Sequence, residues 1–144
     1  LFAFFYEYVI NIKFAYWGDL FTQPLDISFL DRIKKIYLKA YQFSVDYPKL
    51  LKVGSRISES QRFRNDEIYK KGIKYAIDFL EGFIKIDQEK GIIRTDIDSH
   101  LLASFVTEFI QKVTLDELLN EKVDLKVIKY KVDQLINIIQ KGIN

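Results

Sequence analysis

Residues 89–106 read EKGIIRTDIDSHLLASFV, and the order of residue types in this stretch sets the architecture on both sides of it. Gly91 follows a long run with apolar residues at helical spacing. That is where a helix commonly ends, in a left-handed residue. Asp96 and Asp98 stand just ahead of the apolar run LLASFV, where a carboxylate caps free N–H groups and suits the positive end of a helix. Arg94 beside them reads as the ion-pair partner that holds the turn. The stretch is therefore helix, tight connection, helix.

Upstream, the long helix is expected from about Asp66 to Lys90. Ile73, Ala76, Ile77, Leu80, Phe83, Ile84 and Asp87 follow the i, i+3, i+4, i+7 pattern of one buried face. Before it, DISFLDRIKKIYLKAYQFSVDYP predicts a helix capped by Ser28 or Asp26, with Leu30, Ile33, Tyr37, Ala40 and Tyr41 on one face. Pro48 ends that helix and starts a short basic one, PKLLKVGSRI, with Asp46 as the expected cap. The polar stretch SESQRFRND reads as a loop or a frayed helix end. The first residues, LFAFFYEYVINIKFAYW, are interrupted by Glu7, Asn11 and Lys13 and read as a buried helix stopped near Gly18 and Pro24, with no signal-peptide or membrane-span pattern. The chain opens inside this apolar pattern with no capping residue before it, so a further segment is expected upstream.

Downstream of the connection, Leu101, Phe105, Phe109 and Val113 form one ridge, and Leu102, Val106 and Ile110 form the adjoining one. TLDE at 114–117 has the form of a capping box that opens a short turn of helix. Asp124 then caps a last helix bearing Leu125, Ile128, Val132, Leu135, Ile136 and Ile139, which ends at Gly142. No hairpin signal or sustained alternation occurs. The expectation is a single all-α domain over residues 1–144, a bundle of about six helices.

Composition narrows the chemistry. The chain has no cysteine and a single histidine, which excludes disulfides, thiolate sites and cysteine nucleophiles and fits a reducing cytoplasm. No dinucleotide, phosphate-loop, zinc-protease or serine-elbow motif is present. His100 reads as a surface or half-buried side chain without chemistry, and Asp96 and Asp98 read as caps before a metal pair. No enzyme, cofactor or metal is expected. Net charge is +2 but unevenly spread: residues 30–75 hold 12 Lys/Arg against 5 Asp/Glu, and residues 76–124 hold 5 against 11. Two solvated faces of opposite sign explain this, and so does a surface turned toward DNA phosphates or a partner. Aromatic residues crowd the first two helices and recur at Phe79 and Phe83. They make either a pocket for a flat, greasy ligand or an aromatic-rich core.

The glycine-stopped helix, the string GIIRTDID (Gly91, Ile93, Arg94, Asp96, Ile97, Asp98) and the following LLASFVTEFI resemble the C-terminal region of TetR-family transcriptional regulators. The helix stop at Tyr47 and Pro48 fits the same order of elements, and the resemblance covers nearly the whole chain. It implies a TetR C-terminal-domain-like bundle acting as the effector-sensing and dimerising part of a cytoplasmic bacterial regulator, most simply a repressor. Operator DNA would be read by a helix-turn-helix head ahead of Leu1, which these residues do not contain. The two heads of a dimer must sit about one DNA turn apart, roughly 34–36 Å. A homodimer through the last two helices would supply that, with Leu102, Phe105, Val106, Phe109, Ile110, Val113, Ile128, Val132, Leu135 and Ile139 at the interface. Tyr8, Ile12, Tyr16, Tyr37, Tyr41, Phe83 and Phe105 are the expected pocket for a small hydrophobic or aromatic effector. A ligand fitting one helix arrangement would shift the population and tilt the first helix. The rival readings are a helical dimerisation module with no ligand and a small pocket enzyme. No membrane partner is expected.

Overall fold

The computed structural model describes residues 27–118 and 124–143 and, ahead of these, residues 4, 5, 7–9, 11, 12, 15 and 18, without the side chains of 58, 110, 111 and 113–118. Six helices have defined bounds: α1 (Phe29–Asp46), α2 (Pro48–Glu59), α3 (Gln61–Arg64), α4 (Glu67–Glu89), α5 (Ser99–Leu118) and α6 (Leu125–Ile143). The described residues of the N-terminal segment are helical as well, and no strand occurs among the described residues. The chain is an all-α helical bundle. Among the described residues no helix is long and apolar enough to cross a membrane.

Short polar side chains start these helices. Ser28 Oγ accepts from the Asp31 N–H at the head of α1, Asp66 from the Ile68 N–H at the head of α4, and Asp124 from the Val127 N–H at the head of α6. Each satisfies an N–H that has no partner within its own helix. Pro48 occupies the first turn of α2, where its missing N–H costs nothing.

Four local expectations are corrected. Asp46 does not cap α2: Tyr47 is the capping position and makes no side-chain bond there, while Asp46 accepts from Gln42 Nε2 one turn back. The stretch expected as a loop or a frayed helix end contains the separate helical turn α3. No new helix opens at Thr114, because α5 runs unbroken through residues 114–117. Gly142 also lies inside α6, which ends one residue later. Gly18 is itself helical, so the expected stop does not fall on it, and Pro24 lies outside the described residues.

Helix α1 is the hub and contacts α2, α4, α5 and α6, while α4 packs along α5. The core joins Phe29, Ile33 and Tyr37 of α1, Leu80 and Ile84 of α4, Leu102, Ala103 and Val106 of α5, and Ile128, Val132, Leu135 and Ile139 of α6. Ile93 of the connection is buried in the same cluster. Lys34 and Asp133 pair across α1 and α6 at 2.9 Å on the surface.

Candidate functional site

The connection between α4 and α5 is built as its residues require. Gly91 takes a left-handed φ of 72°, and its N–H bonds the Gln88 carbonyl at 3.0 Å while the Ile92 N–H bonds that of Asp87 at 2.8 Å. Arg94 grips Asp96 with two parallel bonds, Nε–Oδ1 at 2.9 Å and Nη2–Oδ2 at 2.8 Å. This hydrogen-bonded pair holds the Asp96 carboxyl below its usual range and raises the Arg94 guanidinium. Asp98 caps α5 through the Leu101 N–H at 2.7 Å. The Gln88 amide donates to the Arg94 and Ile97 carbonyls, and the Arg94 N–H reaches the Ile143 carbonyl at the end of α6. One connection thus ties three helices together.

Asp87 lies on the apolar face of α4 with 2% of its surface exposed. Its carboxylate accepts the Phe29 N–H at 2.7 Å. A residue 58 positions along the chain therefore serves the first turn of α1, next to the local cap from Ser28. The charge is placed against the positive end of a helix.

The expected aromatic pocket divides. Tyr37 is buried in the core, and Tyr41 and Phe83 pack against it. The Arg32 guanidinium, itself 2% exposed, lies 3.6 Å above the Phe83 ring centroid. Phe79 meets the Phe83 edge at 4.9 Å. Ile12 is half-buried, whereas Tyr8 and Phe105 are 54% and 55% exposed. Tyr16 lies outside the described residues. Tyr37, Tyr41 and Phe83 are thus grouped around the core, and Tyr8 and Phe105 stand in the open.

The two ridges on α5 and α6 divide as well. Leu102, Val106, Ile128, Val132, Leu135 and Ile139 are buried within one chain and hold α5 and α6 to its core. Phe109 is exposed and stacks on Phe105 at 5.6 Å between centroids. The side chains of Ile110 and Val113 lie outside the described residues. What faces outward is Leu101, Phe105 and Phe109 on α5, with Val127, Tyr130 and Ile138 on α6. These positions are spaced so that each set shares one face of its helix.

An open cleft of about 450 Å³ lies between α3, α4 and α5. Ile73 and Ile77 form its apolar wall beside the Tyr69 ring, and Arg64, Lys70 and Lys74 bring positive charge. Thr107, Glu108 and His100 come from α5. The first turn of α5 meets α4 at Glu81, through Ser99 and His100. The sequence placed Ile73 and Ile77 on the buried face of α4 without separating this open part from the core.

Beyond the His100 end, Glu81 joins the two helices. Its carboxylate accepts from Ser99 Oγ at 3.1 Å and Lys85 Nζ at 2.9 Å, and lies 3.1 Å from His100 Nδ1. Lys85 first, then His100, hold this carboxyl down at about 2. Asp78, one turn back, pairs with Lys74 at 2.6 Å. This set escaped the sequence reading because it joins residues 19 and 22 positions apart, with no local spacing to signal it.

Comparison of the chain with family models, with curated proteins and with solved structures gives no match.

Proposed function

We propose that this chain is the effector-sensing and dimerising part of a TetR-like transcriptional repressor, acting on operator DNA through a helix-turn-helix head N-terminal to Leu1. The observation that carries the reading is the 91–98 connection. Its left-handed glycine, core isoleucine, Arg94–Asp96 clamp and Asp98 cap give a physical role to the residues on which the family resemblance rests. Two features support the division of labour. The α3–α4–α5 cleft offers a small hydrophobic or aromatic effector the Tyr69 ring and two isoleucines, with polar groups to orient it. The outward apolar faces of α5 and α6 offer a second copy a surface to cover.

A ligand in the cleft touches α4 and α5 together, so it acts by favouring one spacing of these helices over another. The test uses the complete open reading frame, whose binding to DNA upstream of its own gene is measured by gel shift. Specific binding that a cleft ligand weakens is the expected result, the ligand having been found by thermal shift among planar hydrophobic compounds. Absence of any sequence-specific DNA binding overturns the regulator reading. The packing of Tyr37 and of Phe83 under Arg32 favours a second reading, a dimerisation module with no ligand. That reading expects no compound to raise the melting temperature.

A further inference from the structure

Asp78 and Glu81 stand one turn apart on α4, and His100 meets them from the first turn of α5. One ligating atom from each of the three lies within 4.8 Å of the other two. The His100 Nδ1 to Glu81 Oε2 separation is 3.1 Å. Donor atoms on a tetrahedral ion with bonds of about 2.0 Å lie roughly 3.3 Å apart. The His100–Glu81 separation already matches that spacing, and the Asp78 donor lies within 4.8 Å of both.

We propose that Asp78, Glu81 and His100 bind a divalent transition-metal ion of the zinc type, which bridges α4 and α5 at the end of the cleft. The donor set selects the ion. An imidazole nitrogen disfavours calcium and magnesium, and the lack of any thiolate disfavours copper(I). Three protein donors leave at least one coordination position open. His100 also lines the cleft, so that position is within reach of a donor atom on a cleft-bound molecule. The site stands independently of the regulatory reading.

Two ammonium groups hold the carboxylates in the metal-free chain, Lys74 on Asp78 and Lys85 on Glu81. Their side chains are 76% and 60% exposed, and such surface pairs are readily given up. A dication that displaces both leaves the local charge unchanged. His100 offers Nδ1 or, after ring rotation, Nε2.

The experiment uses the untagged, chelator-treated protein titrated with zinc by calorimetry and with cobalt by visible absorption. One ion per chain is expected, with a cobalt spectrum of low coordination number. His100→Gln and Glu81→Gln should each weaken binding by roughly 10-fold or more, with helical circular dichroism unchanged. The double variant Lys74→Gln, Lys85→Gln should bind more tightly, because its competing cations are gone. Absence of saturable binding overturns the proposal, as does an affinity that His100→Gln leaves unaltered, which is the mark of an adventitious ion only. If His100→Gln or Glu81→Gln fails to fold, the lysine double variant decides: unchanged or weaker affinity overturns the site.

Discussion

Asp87 shows how one side chain serves an element far from it in sequence. Its carboxylate is buried and takes the first N–H of α1 at 2.7 Å. Removing it leaves that N–H buried and unpaired, which costs about 1–3 kcal/mol. Asp87→Ala is accordingly expected to lower the unfolding free energy read from urea denaturation by that amount, and Asp87→Asn, which retains an acceptor, by less. Equal losses in the two variants would mean that the hydrogen bond is not what the residue contributes. Glu81 makes a different contribution, one that depends on pH. Its carboxyl is held at about 2, against an ordinary value of 4.5, chiefly by Lys85 and His100. A group depressed in this way stabilises the fold in full above its unfolded value and loses that contribution as pH falls toward the folded value. In chelator-containing buffer, the melting-temperature gap between the native chain and Glu81→Gln should therefore shrink as pH drops from about 4.5 to about 2. A gap constant over that window would show that the carboxylate interactions are not retained in solution.

Among the elements, the α4–α5 connection depends most on a single backbone conformation. Gly91 sits at φ 72°, and a Cβ added there would meet nothing within 4 Å. Gly91→Ala therefore isolates backbone strain from crowding and should cost about 1–2 kcal/mol, read as a shift in denaturation midpoint with an unchanged slope. This connection was legible in the sequence because its signals are local: a glycine stop, an arginine two residues from its carboxylate, and a cap three residues ahead of the N–H it serves. Ser28, one of two candidate caps with Asp26, and Asp124 were legible for the same reason, whereas Asp66 was read only as the approximate start of its helix. Asp46 misled, since Gln42 lies one turn behind it on the same helix face and takes the carboxylate that α2 would need. TLDE misled in the opposite sense: a capping-box pattern cannot start a helix where the preceding one simply continues. The candidate site was legible only in part. Period and apolarity placed Ile73, Ile77 and Phe83 on one face of α4, but whether a half-buried ring meets solvent, a guanidinium or another helix depends on contacts far apart in the chain.

At the scale of the molecule, α1 is held by α4, α5 and α6 around one core, and the outer sides of α5 and α6 keep apolar side chains facing solvent. Leu101, Phe105 and Phe109 recur at every fourth residue of α5, and the two phenylalanine rings stack with only 13° between their planes. Covering such a line requires a surface of comparable size, and a stable interface takes about 800 Å² from each partner. In the proposed homodimer a second copy would present the same faces across a two-fold axis. The inner positions serve another purpose: Val106, one residue along from Phe105, has none of its surface exposed within a single chain. Phe105→Glu and Val106→Glu therefore separate interface from core. If the proposed dimer forms, Phe105→Glu should convert it to a monomer with helical content and cooperative melting retained, because residue 105 is exposed in the single chain. Val106→Glu should abolish cooperative melting altogether, since an unpaired carboxylate would enter the core. A native chain that sediments as a monomer at all accessible concentrations would remove the proposed homodimer, and with it the proposed role of these helices in setting the spacing of two heads.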